Sequence, residues 1–242
     1  TFEDYPMRSP LVLTGGTITE ATEARATVTV EDERGATATG RGTVFLSAIW
    51  AWPKSELGFL TRVDAMQQMC IEVADRMPVW CAEPRHPLEH GMDLHDRVDG
   101  LAIPVGLRLF ITERIPTLAA LVCFSPFDQA LHDAYGRLLG ISSYEALSRD
   151  LLPGDLSRWL GEVGEGRLLD EFVYRRDRDT LDAWLVVGVN DALREADAPD
   201  LGDGLPASVE GWIGRCGYRC FKLKTKGADP QAEAEWVAGV YR

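Results

Sequence analysis

Two lysines alternate along a short apolar stretch near the end of the chain, Phe221-Lys222-Leu223-Lys224. Alternate residues of a strand share a face, so Phe221 and Leu223 are expected to pack against helices. Lys222 and Lys224 would then point together into the interior. Burial of two ammonium groups is costly unless an anion meets them. Each also lowers the pKa of the other from about 10.4 toward the operating pH, where a lysine acts as a general base. The alternative is an edge strand with both lysines solvated.

The residues around this pair follow a strand–helix–strand–helix order, which predicts a parallel sheet. Residues 184–189 form a nearly continuous apolar run, typical of a strand buried on both faces. The strand Cys220–Lys224 leads to a helix with Asp229 as its cap and Pro230 in its first turn. Two such units cannot close a barrel. Residues 151–242 are therefore expected to be the start of a (β/α) barrel of TIM type, in a chain that is incomplete.

The first 150 residues are predicted to form an α+β domain, with strands followed by helices. Residues 26–42 alternate around a polar turn at 32–35, which predicts a hairpin. Residues 57–77 carry apolar side chains at three- and four-residue spacing, which predicts a helix that Pro78 ends. Residues 83–106 contain three prolines and are expected to be irregular.

A second helical block is predicted to begin near Pro116 and to be interrupted once. Ser125 has the properties of an N-cap and Pro126 those of a first helical residue, so a new helix is expected to start there. Gly140 fits the C-terminal stop of that helix.

Composition excludes several classes of partner. The formal net charge is −13, from 25 Lys and Arg against 38 Asp and Glu. This balance argues against nucleic acid and against an anionic membrane surface, since both need clustered cations. No stretch approaches the roughly 20 apolar residues of a membrane helix, and residues 1–5 do not begin a signal peptide. Five cysteines, an odd number in mostly apolar settings, predict free thiols in a reducing, cytoplasmic compartment.

Other residues with chemical potential are weaker candidates. His86, His90 and His95 alternate with acidic residues, which would suit a metal cluster, but solvated or packing roles are the favoured interpretation. Cys216 and Cys220 lack the second pair that a zinc site needs. The stretch 15–17 is too short for a phosphate loop.

The order of these motifs resembles the enolase superfamily, and within it the group of mandelate racemase and muconate lactonizing enzyme. The resemblance covers essentially the whole chain. It includes the helix Ser125-Pro126-Phe127-Asp128-Gln129-Ala130-Leu131-His132-Asp133-Ala134, followed by Gly140-Ile141-Ser142-Ser143-Tyr144-Glu145-Ala146-Leu147. The Lys-x-Lys strand then leads through Gly227-Ala228-Asp229-Pro230 into a helix. The resemblance implies an α+β capping domain over residues 1–150 and the first part of the barrel over 151–242.

The resemblance also implies a reaction and the residues for it. Lys224 would remove the α-proton of a small-molecule carboxylate, and Lys222 would contact the carboxylate and tune its neighbour. Mg²⁺ would stabilise the resulting enolate, with acidic ligands expected beyond Arg242 and no metal ligand among the residues given. An assembly of identical chains is common in this family.

Substrate contacts are implied in the cap. A flexible loop near residues 14–20, including Thr17, is expected to fold over the site. Residues 47–53 are a second candidate, where Trp50 and Trp52 would form an apolar wall, with ordinary hydrophobic contacts as the alternative. The chain is thus predicted to be a racemase, an epimerase or an acid-sugar dehydratase. The alternative from another class is a non-catalytic homologue that serves as a scaffold or binding protein.

Overall fold

The computed structural model describes residues 1–13, 16–173 and 180–241. The N-terminal part of the chain forms an antiparallel sheet. Its three strands are adjacent in chain order: β1 (Phe2–Leu13), β2 (Gly16–Glu31) and β3 (Thr37–Phe45). The predicted hairpin is confirmed, with Glu31 paired to Thr37. The Asp32 carboxylate closes the turn by accepting the N–H groups of Arg34 at 2.9 Å and Ala36 at 2.8 Å. This is the Asx geometry that favours aspartate at such positions.

Helices follow the sheet. They are α1 (Ala48–Ala51), α2 (Phe59–Trp80), α3 (Pro87–Gly100), α4 (Ala102–Arg108), α5 (Thr117–Leu139) and α6 (Ser157–Leu160). The core lies among them and the sheet, and α2 and α5 supply many of its fully buried side chains, such as Met66, Met69, Val73, Ala119 and Ala130. None of the described helices combines the length and the apolar character needed to cross a membrane.

The prediction that Pro78 ends α2 was wrong, because the helix continues to Trp80. A proline inside a helix removes one backbone hydrogen bond. That loss falls in the last turn here, and the Cys81 N–H still bonds the Met77 carbonyl at 2.9 Å. Likewise, most of the region 83–106 is helical rather than irregular, since α3 and α4 begin at residues 87 and 102. Pro87 is the first residue of α3, a position at which helices tolerate proline.

The predicted new helix start at Ser125 was also wrong, because α5 runs through it without a break. Pro126 has no N–H to donate to the Val122 carbonyl four residues earlier. The Ser125 hydroxyl instead donates to that carbonyl at 2.9 Å. Ser125 therefore satisfies the acceptor that its neighbour leaves open and is not an N-cap. The predicted stop at Gly140 is confirmed, since this residue caps α5 with a φ of 69°.

Strand β3 lies directly on α5, and two glycines make this approach possible. A Cβ atom at Gly40 would lie 2.1 Å from the Ala130 carbonyl oxygen and 2.2 Å from the Ala134 nitrogen. One at Gly42 would lie 2.0 Å from the Pro126 carbonyl oxygen. Only hydrogen fits in these spaces, so the sheet and the helix meet backbone to backbone.

The chain divides into two compact units, Thr1–Arg175 and Arg176–Arg242, called unit 1 and unit 2 below. The boundary falls later than the predicted one at residue 150. Side chains tie the intervening residues to unit 1: the Arg149 guanidinium binds both carboxylate oxygens of Asp170 at 2.8 Å, and Arg158 in α6 pairs with Asp93 in α3.

Unit 2 confirms the predicted order of elements. It contains β4 (Trp184–Gly188), α7 (Val209–Cys216), β5 (Cys220–Lys224) and α8 (Pro230–Val240). The two strands pair in parallel. Helix α7 is capped by the Ser208 hydroxyl and α8 by the Asp229 carboxylate, which accepts two backbone N–H groups at 3.0 and 3.1 Å. The chain is therefore a mixed α/β protein with an antiparallel sheet in unit 1 and a parallel sheet in unit 2.

Candidate functional site

The face of the β4–β5 sheet that carries Lys222 and Lys224 is the candidate site, called the lysine face below. Phe221 and Leu223 are half-buried on the opposite face, and their neighbour Val187 in β4 is fully buried. The alternation predicted from the sequence is thus what the strand adopts. Both lysines are exposed in the described chain rather than buried.

The lysine face also has an apolar part. In the register of the sheet, Val186 lies beside Lys222 and Gly188 beside Lys224. Val186 is 49% exposed, and Trp184, one step earlier on the same face, is 65% exposed. Gly188 adds no side chain next to Lys224, and the Asp191 carboxylate lies 3.7 Å from where a Cβ at Gly188 would be. The ammonium groups of this face could bind an anionic group, and the exposed side chains of Val186 and Trp184 could contact an apolar part of the same ligand.

Neither Lys222 nor Lys224 makes a hydrogen bond or an ion pair within residues 1–13, 16–173 and 180–241, although acidic residues outnumber basic ones in the chain. Lys226 differs, since its ammonium donates to the Asn190 side-chain oxygen at 3.1 Å. The first two lysines are therefore free to bind an external anion, while the third links the segments that follow β4 and β5.

The turn after β5 is fixed by one carboxylate. Glu233 in α8 accepts the backbone N–H groups of Lys226 at 2.8 Å, Gly227 at 2.7 Å and Ala228 at 3.4 Å through the same oxygen. Gly227 has a φ of 70°, the conformation that lets successive N–H groups converge on one anion. This contact sets where the chain leaves Lys224, and sequence reasoning missed it. The sequence does contain a signal for this contact. A turn at Gly227 leaves backbone N–H groups that need an acceptor, and Glu233 follows in the first turns of the next helix.

A second carboxylate orders the turn after β4. Asp191 accepts the Gly188 N–H at 2.8 Å, and a Cβ at Gly188 would meet this carboxylate at 3.7 Å. Asp191 and Asn190 thus position the end of β4, as Glu233 positions the end of β5. In parallel sheets, the carboxyl ends of the strands are where sites are usually built.

The predicted substrate contacts lie in unit 1. Thr17 is exposed and belongs to β2, so residues 16–20 continue a strand rather than form a flexible loop. Residues 14 and 15 of that predicted loop lie outside the described residues. Trp50 in α1 is 58% exposed, whereas Trp52 is 2% exposed and belongs to the core. The structure therefore gives Trp52 a packing role, because its ring is enclosed. Roles for Thr17 and Trp50 in substrate binding stay predictions.

The histidines have structural surroundings. His86 is the N-cap of α3: its Nδ1 accepts the Leu88 N–H at 3.1 Å, and its Nε2 lies 3.0 Å from the Ala146 carbonyl oxygen. Histidine is not a usual N-cap residue, so this role was not predictable from the residue type. Among the described residues, no group of three or more His, Cys, Asp or Glu side chains is arranged to hold a metal ion.

The contacts of His86 predict a pH-dependent stability. Burial lowers the pKa of His86 below its ordinary value of 6.5, against the opposing effect of its bond to Ala146. His86 therefore binds a proton more readily in the unfolded chain than in the folded one. The contribution of neutral His86 to the stability of the fold is complete above about pH 6.5 and is lost as the pH falls below that value. We expect the free energy of unfolding, measured with urea, to be lower at about pH 5.5 than at about pH 7.5.

The variant His86→Asn keeps a good N-cap side chain but cannot titrate, and should reduce this difference. The matched change at exposed His95 should leave it unaltered. An undiminished difference in His86→Asn would assign the effect to other groups. His90, whose pKa is lowered by burial and then by Arg85, is the next candidate.

No protein-family model, no curated protein and no solved structure matches this chain. The chemistry of the lysine face must therefore be argued from its own residues.

Proposed function

We propose that the protein is an enzyme that removes the α-proton of a small-molecule carboxylate, in the manner of the enolase superfamily, as a racemase, epimerase or acid-sugar dehydratase. One observation carries the proposal. Lys222 and Lys224 share the exposed face of a parallel sheet, and neither has a partner within the described part of the chain. Two unpaired cations on one face of an acidic protein support a site there for an anionic ligand.

The two lysines take different roles in this proposal. Their Cα atoms lie about 7 Å apart, two residues along one strand, which is a suitable separation for the two ends of a small acid. The Lys222 ammonium binds the substrate carboxylate. Lys224, as a neutral amine, accepts the α-proton and becomes an ammonium, while the electron pair of the broken C–H bond moves into the carboxylate to form an enolate. Lys224 takes the role of base because it lies nearer the carboxyl end of β5, the end at which sites are usually built in parallel sheets.

Magnesium enters only through the resemblance to the superfamily. A divalent cation in such a site supplies charge that stabilises an enolate. The described residues offer no cluster of ligands for it, so no step is assigned to the metal here.

The finer architecture and setting belong to the same proposal. Units of strand and helix such as β4–α7 and β5–α8 are those from which a TIM barrel is built, and unit 1 would be its cap. Five free cysteines support a reducing, cytoplasmic compartment. We also propose an assembly of identical chains, since this is common in the family that the sequence resembles.

Hydrogen exchange at the substrate tests the reaction. The full gene product, incubated in D₂O with Mg²⁺ and a panel of 2-hydroxycarboxylates and acid-sugar carboxylates, should replace the α-proton of at least one of them with deuterium. Proton NMR measures the loss of the α-signal. Exchange with inversion would identify a racemase or epimerase, and loss of water a dehydratase. Absence of exchange across the panel would contradict the proposal and favour the non-catalytic alternative.

A further inference from the structure

A cavity of about 870 Å³ lies within unit 1, and its lining includes none of the residues used above for catalysis. It is bounded by the end of β2 and its turn, the C-terminal half of α2, the segment before α3, and α5. Its volume falls within the range of small-molecule pockets. Much of the wall is apolar and includes Met77, Phe127, Leu131, Leu138 and Leu139. A ligand with an apolar body would be well accommodated there.

Tyr135 lines the cavity, and its hydroxyl has no hydrogen-bond partner within the described chain. Its ring packs edge-on against His86, with centroids 5.2 Å apart. Both nitrogens of His86 are already engaged, one with Leu88 and one with Ala146. Burial raises the pKa of Tyr135, so the group stays a neutral hydroxyl that can donate and accept. Tyr135 is thus held in place while its hydrogen-bonding capacity remains unused.

Arg85 and His90 also line the cavity, but they add no contact for a ligand. Arg85 donates through Nη1 to Asp93 at 2.6 Å. Its Nε and the Nδ1 of His90 have no partner among the described residues, but both atoms are buried away from solvent, so a group in the cavity does not reach them. Of these three residues, it is therefore Tyr135 whose unpartnered polar group a ligand can meet.

The charge of the wall decides against an anionic ligand. Asp93 already balances Arg85, and it binds Arg158 as well. The remaining charged lining residues are mainly acidic: the wall as a whole has four acidic side chains and two arginines, namely Glu31, Asp32, Glu33, Glu83, Arg34 and Arg85. A carboxylate or phosphate would be repelled, whereas an uncharged polar group would not.

We propose that this cavity is a binding site for a small uncharged molecule with an apolar ring or chain and one hydroxyl group. A hydroxyl both donates and accepts, which matches the unpartnered hydroxyl of Tyr135. The site is separate from the lysine face and does not depend on the function proposed for it.

The probe for this site is 2-naphthol, with 2-naphthoate as a charged analogue of the same ring system. In titrations of the intact protein by calorimetry, 2-naphthol should bind saturably at one site per chain, and 2-naphthoate at least about tenfold more weakly. Tyr135→Phe removes one hydroxyl and should weaken 2-naphthol binding roughly three- to tenfold. Equal binding of the two probes, or no saturable binding of 2-naphthol, would overturn the proposal.

Blocking the cavity gives an independent check of location. Ala74 lines the cavity and is exposed on α2, so Ala74→Trp should fill the space and abolish binding. Ala234→Trp makes the same change at an exposed helical position in unit 2 and should leave binding unchanged. Leu139→Trp, also in the wall, replaces Ala74→Trp if that variant does not fold, as judged by circular dichroism. Wild-type affinity in a folded blocking variant would place the bound probe elsewhere and refute the assignment.

Discussion

Replacement of Lys224 by alanine is expected to lower the rate of α-proton exchange by about 10²–10⁴-fold, the contribution typical of a positioned general base. The alanine side chain cannot accept the proton, and Lys222 on the same face is two residues away and engaged with the carboxylate. The measurement is deuterium incorporation into the substrate by the full gene product in D₂O. Because Lys224 is exposed and makes no bond in the described chain, its loss should not change the free energy of unfolding appreciably.

Variants of the two neighbouring lysines show whether the effect of Lys224→Ala comes from the loss of a base or only from the loss of a positive charge. Lys226→Ala removes an equal charge from an ammonium that is bonded to Asn190, and should leave the exchange rate within a few-fold of wild type. Lys222→Ala should act mainly on KM, since Lys222 is proposed to bind the ground-state carboxylate. If Lys226→Ala and Lys224→Ala lowered the rate equally, the effect would be electrostatic and Lys224 would not be the base.

Gly40→Ala is expected to lower the free energy of unfolding by about 3 kcal/mol, the upper end of the usual range for overpacking. The new methyl group would overlap backbone atoms of α5 at 2.1 and 2.2 Å, and backbone on both sides of the contact has little freedom to move. Unfolding in urea, followed by circular dichroism, measures the change.

The control is Gly100→Ala, at the end of α3, where a Cβ would meet no atom within 4 Å. Alanine is a better helix former than glycine, so this variant should be as stable as wild type or slightly more stable. Equal stability of Gly40→Ala and Gly100→Ala would mean that β3 can lift away from α5, and that the close backbone contact does not hold the sheet on its helix.

Local chemistry made part of this fold predictable. The turn at Asp32 and the start of α8 at Asp229 each depend on hydrogen bonds between residues at most four apart, so the sequence contains their whole cause. Ser125-Pro126 shows the limit. The same pair is compatible with a helix start and with a continuous helix, and the outcome depends on packing against β3, more than 80 residues earlier in the chain.

The candidate sites divide in the same way. The shared face of Lys222 and Lys224 follows from the period of a strand, and it was predicted. Their exposure depends on what covers the sheet, which no local pattern encodes. The cavity of unit 1 could not be predicted, because its wall comes from four separate segments. Its polar residues, such as Arg85 and Tyr135, have no distinctive spacing in the sequence.

The contact of Glu233 with the turn after β5 has a consequence for selectivity. Three converging backbone N–H groups next to a strand end are a common device for holding phosphate or carboxylate. Here Glu233 occupies them, so the protein's own side chain is an internal competitor that keeps anions away from that turn. An anion that approaches this end of the sheet is then left with the lysine side chains. Under the proposed function, these are the side chains that would bind the carboxylate and remove its α-proton.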